Sequence, residues 1–173
     1  MSDLLERIKH RRSCRFFNDK LVEKELVDKI VEAGLHAPSG MNKQDSIIIA
    51  IQNKEMIDSI RNIKCSLGNR PGDPFYGAST LILVIAKKFP LAKLDGGAVM
   101  ENMLLEANSL GLGACWIHMT DDEVSHPDFS KTLKDLNIDF NEYEAVGHIV
   151  LGYKSSDEVR DKSIKDNRYY YFK

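Results

Sequence analysis

The sequence has few cysteines and no long apolar run, and each shortage excludes a class of protein. The three cysteines, Cys14, Cys65 and Cys115, are far apart, and the chain has no C-x-x-C pair. This argues against a zinc ribbon or a thioredoxin-type motif and favours a reduced, cytoplasmic setting. The longest apolar run, STLILVIA at residues 79–86, is too short to span a bilayer. The N-terminus MSDLLERIKHRR lacks the apolar stretch of a secretion signal, so no membrane partner is expected.

The chain also lacks an excess of charge of either sign. Lysine and arginine number 24 and aspartate and glutamate 26, which gives a formal net charge of −2. A balanced chain is not a general binder of polyanions, so no nucleic-acid partner is expected. The 173 residues are enough for one domain, residues 1–173, with a real core.

Common nucleotide and nucleophile motifs are missing too. GLGACW at residues 111–116 begins like a dinucleotide fingerprint, but Trp116 replaces the third glycine and the segment precedes a predicted strand. No Walker A or G-x-S-x-G sequence occurs. The five histidines show no metal-ligand spacing, so no metal site is predicted, and His118 and His148 are interpreted as structural strand residues. Cys115 is predicted to be a packed cysteine rather than a nucleophile.

Hydrophobic periodicity predicts short buried strands interleaved with helices. The predicted strands are residues 46–52, 79–87, 113–119 and 144–153. The predicted helices are residues 2–12 with Ser2 as the N-cap, 23–35, 54–63, 95–110 and 128–138. Residues 64–78, which contain Pro71, Pro74 and three glycines, are predicted to form a long loop. The pattern indicates an α/β or α+β layer and leaves the strand order open.

A local basic cluster stands out in this balanced chain. The stretch RRSCRFF, residues 11–17, places three arginines around Ser13 with no acidic residue among them. Guanidinium groups match phosphate oxygens bidentately, and a hydroxyl adds a donor without charge, so the stretch suits a small anionic ligand. The alternative is a solvated basic helix end, which would account for Arg11 and Arg12. It would not account for Arg15, which follows the predicted helix.

Four stretches together resemble the nitroreductase family of flavin enzymes. RRSCRFF resembles the family's R-R-S-x-R-x-F signature, and APSGMNKQ at residues 37–44 resembles its A-P-S-x-x-N-x-Q loop. LLEANSLGLGACWI at residues 104–117 is similar to its L-x-A-x-x-L-G-L-G-S-C-W-I segment. VGHIVLGY at residues 146–153, followed by Arg168, resembles its last core strand and basic tail. The stretches occur in family order over almost the whole chain.

The resemblance implies an α+β fold with a mainly antiparallel central sheet flanked by helices, in a homodimer that binds two FMN molecules at its interface. The residues facing the FMN phosphate and ribityl chain would be Arg11, Arg12, Ser13 and Arg168. Arg15 would reach the ribityl chain and the pyrimidine edge of the ring. The other subunit would supply Pro38, Ser39, Gly40 and Asn42. The backbone amides of His118 and Met119 would lie near flavin N5.

The resemblance also implies an FMN-dependent NAD(P)H oxidoreductase with a ping-pong mechanism. NADH or NADPH would deliver hydride to flavin N5 and leave, and a nitroaromatic or quinone acceptor would then take its place. Because the flavin does the chemistry, no catalytic side chain is expected. The alternatives are a dehalogenase or a flavin-consuming synthase on the same fold, or an FMN-binding sensor or carrier without turnover.

Some positions depart from the family or remain open. Asp45 follows Gln44 where the family often has Pro-Trp, and its charge would disfavour anionic substrates. The connection at residues 87–94 is short, which leaves Phe75 and Tyr76 as the predicted cover over the flavin. These two aromatics could equally be core or loop-anchoring residues. The predicted helix at residues 95–110 is apolar on more faces than one small domain needs, which predicts an obligate homodimer.

Overall fold

The computed structural model describes residues 3–68, 72–156 and 162–173. Its four strands are β1 (Ser46–Ile51), β2 (Thr80–Lys87), β3 (Gly113–Ile117) and β4 (Tyr143–Gly152). They form one sheet in the order β1-β2-β4-β3, and each neighbouring pair is antiparallel. The antiparallel α+β fold that the resemblance implied is therefore confirmed. All four predicted strands occur, with ends that differ by at most two residues.

Helices cover both faces of the sheet. They are α1 (Asp3–His10), α2 (Lys24–Leu35), α3 (Lys54–Gly68), α4 (Ala92–Ser109), α5 (Asp121–Val124) and α6 (Pro127–Thr132). Helix α2 ends before Pro38, as predicted, and Gly111 takes a left-handed conformation with φ 79° just after α4. The predicted N-cap Ser2 lies outside the described residues. Within the described ranges, no helix has both the length and the apolarity needed to cross a membrane.

Two predicted boundaries were wrong. Helix α3 continues to Gly68, so the loop predicted over residues 64–78 begins later. The extra turn is favourable because Lys64 on α3 reaches a buried carboxylate, which the spacing of Gly and Pro residues could not reveal. The helix predicted over residues 128–138 is the shorter α6, followed by a 3₁₀ turn at Lys134–Leu136.

The sheet is buried on both faces. One apolar cluster lies between the sheet and helices α3 and α6, and a second lies between the sheet and helices α2 and α4. Strand β2 lies in the middle of this arrangement, and its residues from Thr80 to Ala86 are all buried. A strand covered on both sides requires apolar residues at successive positions, which explains its continuous apolar run.

Helix α4 approaches strand β4 closely at a glycine. A Cβ atom at Gly96 would lie 2.4 Å from Cγ2 of Val146, too close for the helix to keep its position. At the adjacent Gly97, a Cβ atom would meet only the ring of Trp116, at an ordinary 3.8 Å. The two neighbouring glycines therefore differ sharply in the space around them.

We expect Gly96→Ala to be less stable than Gly97→Ala by about 1–3 kcal/mol, because only the first overpacks the interface between α4 and β4. Both changes gain the same helix propensity of alanine over glycine, about 1 kcal/mol, so this gain cancels in the comparison. Urea unfolding of the two variants measures the difference. Equal midpoints would show that α4 can move away from β4 at little cost.

Candidate functional site

The segment at residues 11–17, here called the arginine segment, lies along the free edge of β3. Ser13 forms an isolated parallel bridge with Ala114, and the N–H of Cys14 donates to the carbonyl of Ala114 at 2.9 Å. Further along, Phe17 forms an antiparallel bridge with Lys154, just beyond β4. The backbone of the sheet therefore fixes where the side chains of this segment project.

Three polar side chains of the arginine segment act on Cys115 in β3. The Nε atom of Arg11 lies 3.8 Å from Oε1 of Glu101 on α4, and the guanidinium of Arg15 lies 5.9 Å from the ring centroid of Tyr76. Burial raises the pKa of the Cys115 thiol, and a hydrogen bond with Ser13 and the charges of the two arginines oppose that rise. Cys115 is thus a buried thiol, as predicted, beneath a local positive field.

Arg12 has a different environment. Its NH1 group donates to the carbonyl oxygen of Lys9 at 2.5 Å and to that of Arg11 at 2.7 Å. The carbonyl of Lys9 lies in the last turn of α1, where helix carbonyls lack intrahelical partners, and that of Arg11 directly follows the helix. This is the helix-end role that the sequence left open for part of the cluster. Arg168 lies elsewhere, in the tail at residues 162–173, which is exposed throughout.

The loop that contains Pro38, Ser39, Gly40 and Asn42 is held at the start of α4. The N–H of Gly40 donates to both carboxylate oxygens of Asp95, at 3.1 and 3.0 Å. Asp95 and the Glu101 that neighbours Arg11 are six residues apart on α4, about 9 Å along its axis. Within one chain, the loop and the arginine segment therefore contact different parts of α4.

The same loop carries unusual backbone strain. Met41, Asn42 and Gln44 have φ values of 54°, 53° and 52°, in the left-handed region that non-glycine residues rarely adopt. The hydroxyl of Ser39 stabilises the bend by accepting a hydrogen bond from the N–H of Gln44 at 3.0 Å. Such strain is common in ligand-binding loops, and it marks this loop as a functional candidate independently of the motif.

The backbone just after β3, residues 118–120, is held from within the protein. The carbonyl of His118 accepts a hydrogen bond from Nζ of Lys64, and the side chain of Met119 is buried. The N–H of Thr120 donates to Oε1 of Glu123 at 3.1 Å, and the hydroxyl of Thr120 accepts from the N–H of Glu123. This capping box starts α5 immediately after the segment predicted to lie near a flavin ring.

A buried polar network supports that backbone. Nζ of Lys64 lies 2.9 Å from Oε1 of Glu123, and Nε2 of His148 lies 2.8 Å from Oε2. The side chains of Lys64, Glu123 and His148 are 16%, 3% and 0% exposed. An ionised carboxylate only accepts, so Nε2 of His148 is the donor. We call these three residues the Lys64–Glu123–His148 network.

The pKa values in the network are shifted by burial and by the partners. Burial lowers the pKa of His148, although its hydrogen bond to Glu123 opposes the shift. Burial would raise the pKa of Glu123, but the hydrogen bond from His148 and the contacts with Lys64 outweigh it and keep that pKa below its ordinary value. Nδ1 of His148 is buried with no partner among the described residues, which fits a neutral imidazole. The network is therefore an ion pair hydrogen-bonded to a neutral histidine.

The lowered pKa of His148 predicts how the stability of the fold depends on pH. In the unfolded chain it binds a proton below its ordinary pKa of 6.5, while the folded protein disfavours that proton. Stability should therefore fall as the pH drops below about 6.5, by up to about 1.4 kcal/mol per pH unit. Unfolding in urea at several values between about pH 5.5 and 7.5 measures this slope. His148→Gln keeps a donor for Glu123 and should flatten it, and an unchanged slope in that variant would contradict the assignment.

Phe75 and Tyr76 point in opposite directions. Phe75 is 1% exposed and packs in the core, with its ring edge against His148 at a centroid distance of 5.3 Å. Tyr76 is exposed beside Arg15 and has a left-handed φ of 55°. The structure thus places Phe75 as a loop anchor, the alternative left open by the sequence, and leaves Tyr76 as the candidate for a pocket residue.

The sequence patterns do not indicate Lys64 or Glu123 as site residues. They place Lys64 in a loop and predict no helix at the position of α5. One signal was available, because Thr120 and Glu123 match the S/T-x-x-E pattern of a capping box directly after a strand. The contact with Lys64 had no such signal, because α3 lies more than fifty residues earlier in the chain.

The antiparallel α+β fold and the polar groups along the edge of β3 define a candidate ligand-binding protein whose site is built on backbone and arginine donors. Comparison with known proteins gives the family. The sequence profile of the Nitroreductase family matches residues 8–75 and 67–153. The chain belongs to the nitroreductase family.

Individual relatives agree with this assignment. A crystal structure of a nitroreductase with bound FMN from Bacteroides fragilis has a TM-score of 0.90 and 27% identity over 100% of both chains. A Methanothermobacter thermautotrophicus protein, provisionally named an NADH dehydrogenase/NAD(P)H nitroreductase, is 33% identical over 66% of this chain. A Bacillus subtilis FMN reductase (NAD(P)H) is 29% identical over 65% of this chain. The matched regions cover only 60% and 53% of the lengths of these last two relatives.

Proposed function

We propose that this protein is an FMN-dependent NAD(P)H oxidoreductase of the nitroreductase type, with residues 1–173 as one FMN-binding domain. The observation that carries the proposal is the convergence of Arg11, Ser13 and Arg15 around Cys115 at the edge of β3, the strand that leads directly into residues 118–120. Guanidinium and hydroxyl groups suit a phosphate, and a backbone N–H just after the same strand suits a ring nitrogen. The FMN-bound relative from Bacteroides fragilis, which aligns over the whole chain, supports the same cofactor.

Different residues of the chain would bind different parts of the cofactor. Arg11 and Ser13 would bind the phosphate, while Arg15 would lie at the pyrimidine edge, where its charge favours a reduced, anionic ring. The N–H of Met119 would lie near N5. When bound, FMN would supply the redox chemistry, with hydride arriving from NADH or NADPH and electrons leaving to a nitroaromatic or quinone. We retain Arg12 and Arg168 as proposed contacts, although Arg12 contacts the end of α1 in the structure.

We propose that a second copy of the chain completes the site. The loop residues Pro38, Ser39, Gly40 and Asn42 are held at Asp95, away from the place where Arg11 contacts the same helix. A homodimer could bring this loop of one subunit to the arginine segment of the other. Exposed apolar side chains are available for the interface, among them Leu4, Leu5, Leu94, Tyr169 and Phe172.

Dimerisation gives a direct prediction. We expect an obligate homodimer that buries more than about 2,000 Å² of largely apolar surface. Sedimentation of the FMN-loaded protein at micromolar concentration should show one species of twice the chain mass of 19.6 kDa. A stable, folded monomer that keeps its FMN would contradict both the dimer and the shared site.

The pocket margin has a mixed charge. Asp45, which the sequence predicted to disfavour anionic substrates, lies 4.0 Å from the ammonium of Lys43. The ion pair is partly exposed and offsets part of the negative field. We therefore propose neutral electron acceptors such as quinones and nitroaromatics. The three free thiols fit a reducing compartment, and we propose a cytoplasmic location.

Turnover tests the proposed activity against its alternatives. The purified protein should be yellow and should release FMN rather than FAD on denaturation. It should oxidise NADH or NADPH continuously when menadione or a nitrofuran is present. A single slow bleaching without turnover would favour a sensor or carrier. FMN binding without activity toward these acceptors, combined with activity on a halogenated aromatic, would favour the dehalogenase alternative.

A further inference from the structure

Lys64 contacts the backbone immediately after β3 from inside the protein. Its ammonium donates to the carbonyl oxygen of His118 and lies 2.9 Å from Oε1 of Glu123. Glu123 is itself fixed, because it accepts hydrogen bonds from the N–H of Thr120 at 3.1 Å and from His148 at 2.8 Å. A lysine usually has a flexible side chain, but these contacts hold the side chain of Lys64 in one position.

Because the peptide group is planar, the position of the His118 carbonyl also sets the direction of the N–H of Met119. No cis peptide bond occurs in the described residues, so the bond between His118 and Met119 is trans, and its C=O and N–H point in opposite directions. With the carbonyl directed inward at Lys64, the N–H of Met119 is directed away from Lys64. Within the described ranges, no residue accepts a hydrogen bond from this N–H. The buried side chain of Met119 fixes the other end of the peptide.

We propose that Lys64 is a positioning residue of the flavin site, which directs the N–H of Met119 toward flavin N5 and strengthens it as a hydrogen-bond donor. This role rests on the proposed function. An ammonium at the carbonyl oxygen draws electron density from the amide nitrogen, and hydrogen bonds linked in this way strengthen one another. Glu123 and His148 act through Lys64 by holding it in place.

The positive charge of Lys64 would also favour reduction of the flavin. Lys64 and Glu123 form a nearly buried ion pair beneath the proposed ring position, so neither charge is well screened by water. Removing Lys64 would leave the carboxylate of Glu123 unbalanced. A negative field and a weaker donor at N5 both disfavour the arrival of two electrons at the flavin.

The first test uses protein without flavin. In ¹⁵N–¹H NMR spectra of the apo-protein, Lys64→Met should move the ¹⁵N resonance of the Met119 amide upfield, because the carbonyl of His118 loses its partner. Lys93→Met is the matched control, since Nζ of Lys93 lies 2.9 Å from Oδ2 of Asp121, another carboxylate of α5. The control should leave the Met119 resonance in place. An unmoved resonance in folded Lys64→Met would overturn the proposal.

The second test uses FMN-loaded protein. In Lys64→Met the equilibrium constant for two-electron reduction should fall about tenfold, which corresponds to a midpoint potential about 30 mV lower. The rate of flavin reduction by NADH should fall as well, while FMN affinity stays close to that of the wild type because the phosphate contacts are untouched. A merely structural lysine would not move the potential. A wild-type potential in folded, FMN-loaded Lys64→Met would therefore overturn the proposal.

A second variant tests the proposal even if Lys64→Met does not fold. Lys64→Met leaves a buried carboxylate without its cation, which is strongly destabilising. The double variant Lys64→Met/Glu123→Gln removes both charges and should still show the displaced Met119 resonance and a lowered potential. Wild-type values in the double variant would overturn the proposal. If the wild-type protein takes up no FMN, the proposed function fails, and this role of Lys64 fails with it. Wild-type FMN binding with unaffected variants refutes the role of Lys64 alone.

Discussion

Replacing Phe75 with alanine should lower the free energy of unfolding by about 3–5 kcal/mol, the range for removing a buried phenylalanine side chain. The ring is 1% exposed and packs edge-on against His148, so its removal leaves a cavity beside a buried polar group. Because His148 supports Glu123, the change should also loosen the backbone after β3. Chemical unfolding and the FMN content of the purified variant measure the two effects.

Tyr76→Ala is the matched control for Phe75→Ala. Tyr76 is the next residue in the chain but is exposed, so its removal should change stability by no more than about 0.5 kcal/mol. If Tyr76 covers the flavin, the variant should instead raise the KM for the acceptor. Similar stability losses in both variants would contradict the division between an anchor and a pocket residue. An unchanged KM in Tyr76→Ala would remove this loop from the site.

Arg11→Ala and Arg15→Ala should each weaken FMN binding about ten- to a hundredfold. Each would lose the charge-assisted contact proposed with FMN, worth about 1.5–3 kcal/mol, at about 1.4 kcal/mol per factor of ten. Titration of FMN into the apo-variants measures the loss. Lys9→Ala is the control, because it removes an exposed charge from the neighbouring helix α1, where Lys9 pairs with Glu6 across the helix surface. Wild-type affinity in both arginine variants would return the cluster to the role of a helix end.

The two arginines should differ in their effect on the flavin potential. Arg11 would bind the phosphate, whose charge does not change during reduction, so Arg11→Ala should leave the potential nearly unchanged. Arg15 would lie beside the ring, so Arg15→Ala should make the flavin harder to reduce. Potentiometric titration of both variants tests this difference. Equal shifts would keep the FMN site but contradict the separate roles.

The strands were predictable because each combines a short apolar run with nearby turn residues. Strand β2, buried on both faces, gave a continuous apolar signal, and Gly111 marked the end of α4. The order of the strands was not predictable from periodicity. It depends on pairs such as Leu83 with His148, which are far apart in the sequence and leave no local pattern. The resemblance to a family supplied the antiparallel order instead.

Candidate site residues could be named from the sequence where their chemistry is local in the sequence. The arginine segment and the loop at residues 38–42 carry their candidate site residues in one short stretch each. The Lys64–Glu123–His148 network draws one residue each from α3, α5 and β4, so no stretch of sequence displays it. Phe75 remained ambiguous for a related reason, since its place in the core depends on residues far away in the sequence, among them His148.

The position of Trp116 has a consequence for the fluorescence of the protein. It is the only tryptophan of the chain, and it lies on β3, next to Cys115 and two residues before His118. Its ring is wedged over Gly147 of β4, which fixes its orientation. Indole emission overlaps the near-ultraviolet absorption of oxidised flavin, so a flavin bound at this edge of the sheet would quench it by energy transfer. The intrinsic fluorescence of the chain would then report the occupancy of the site without any added label.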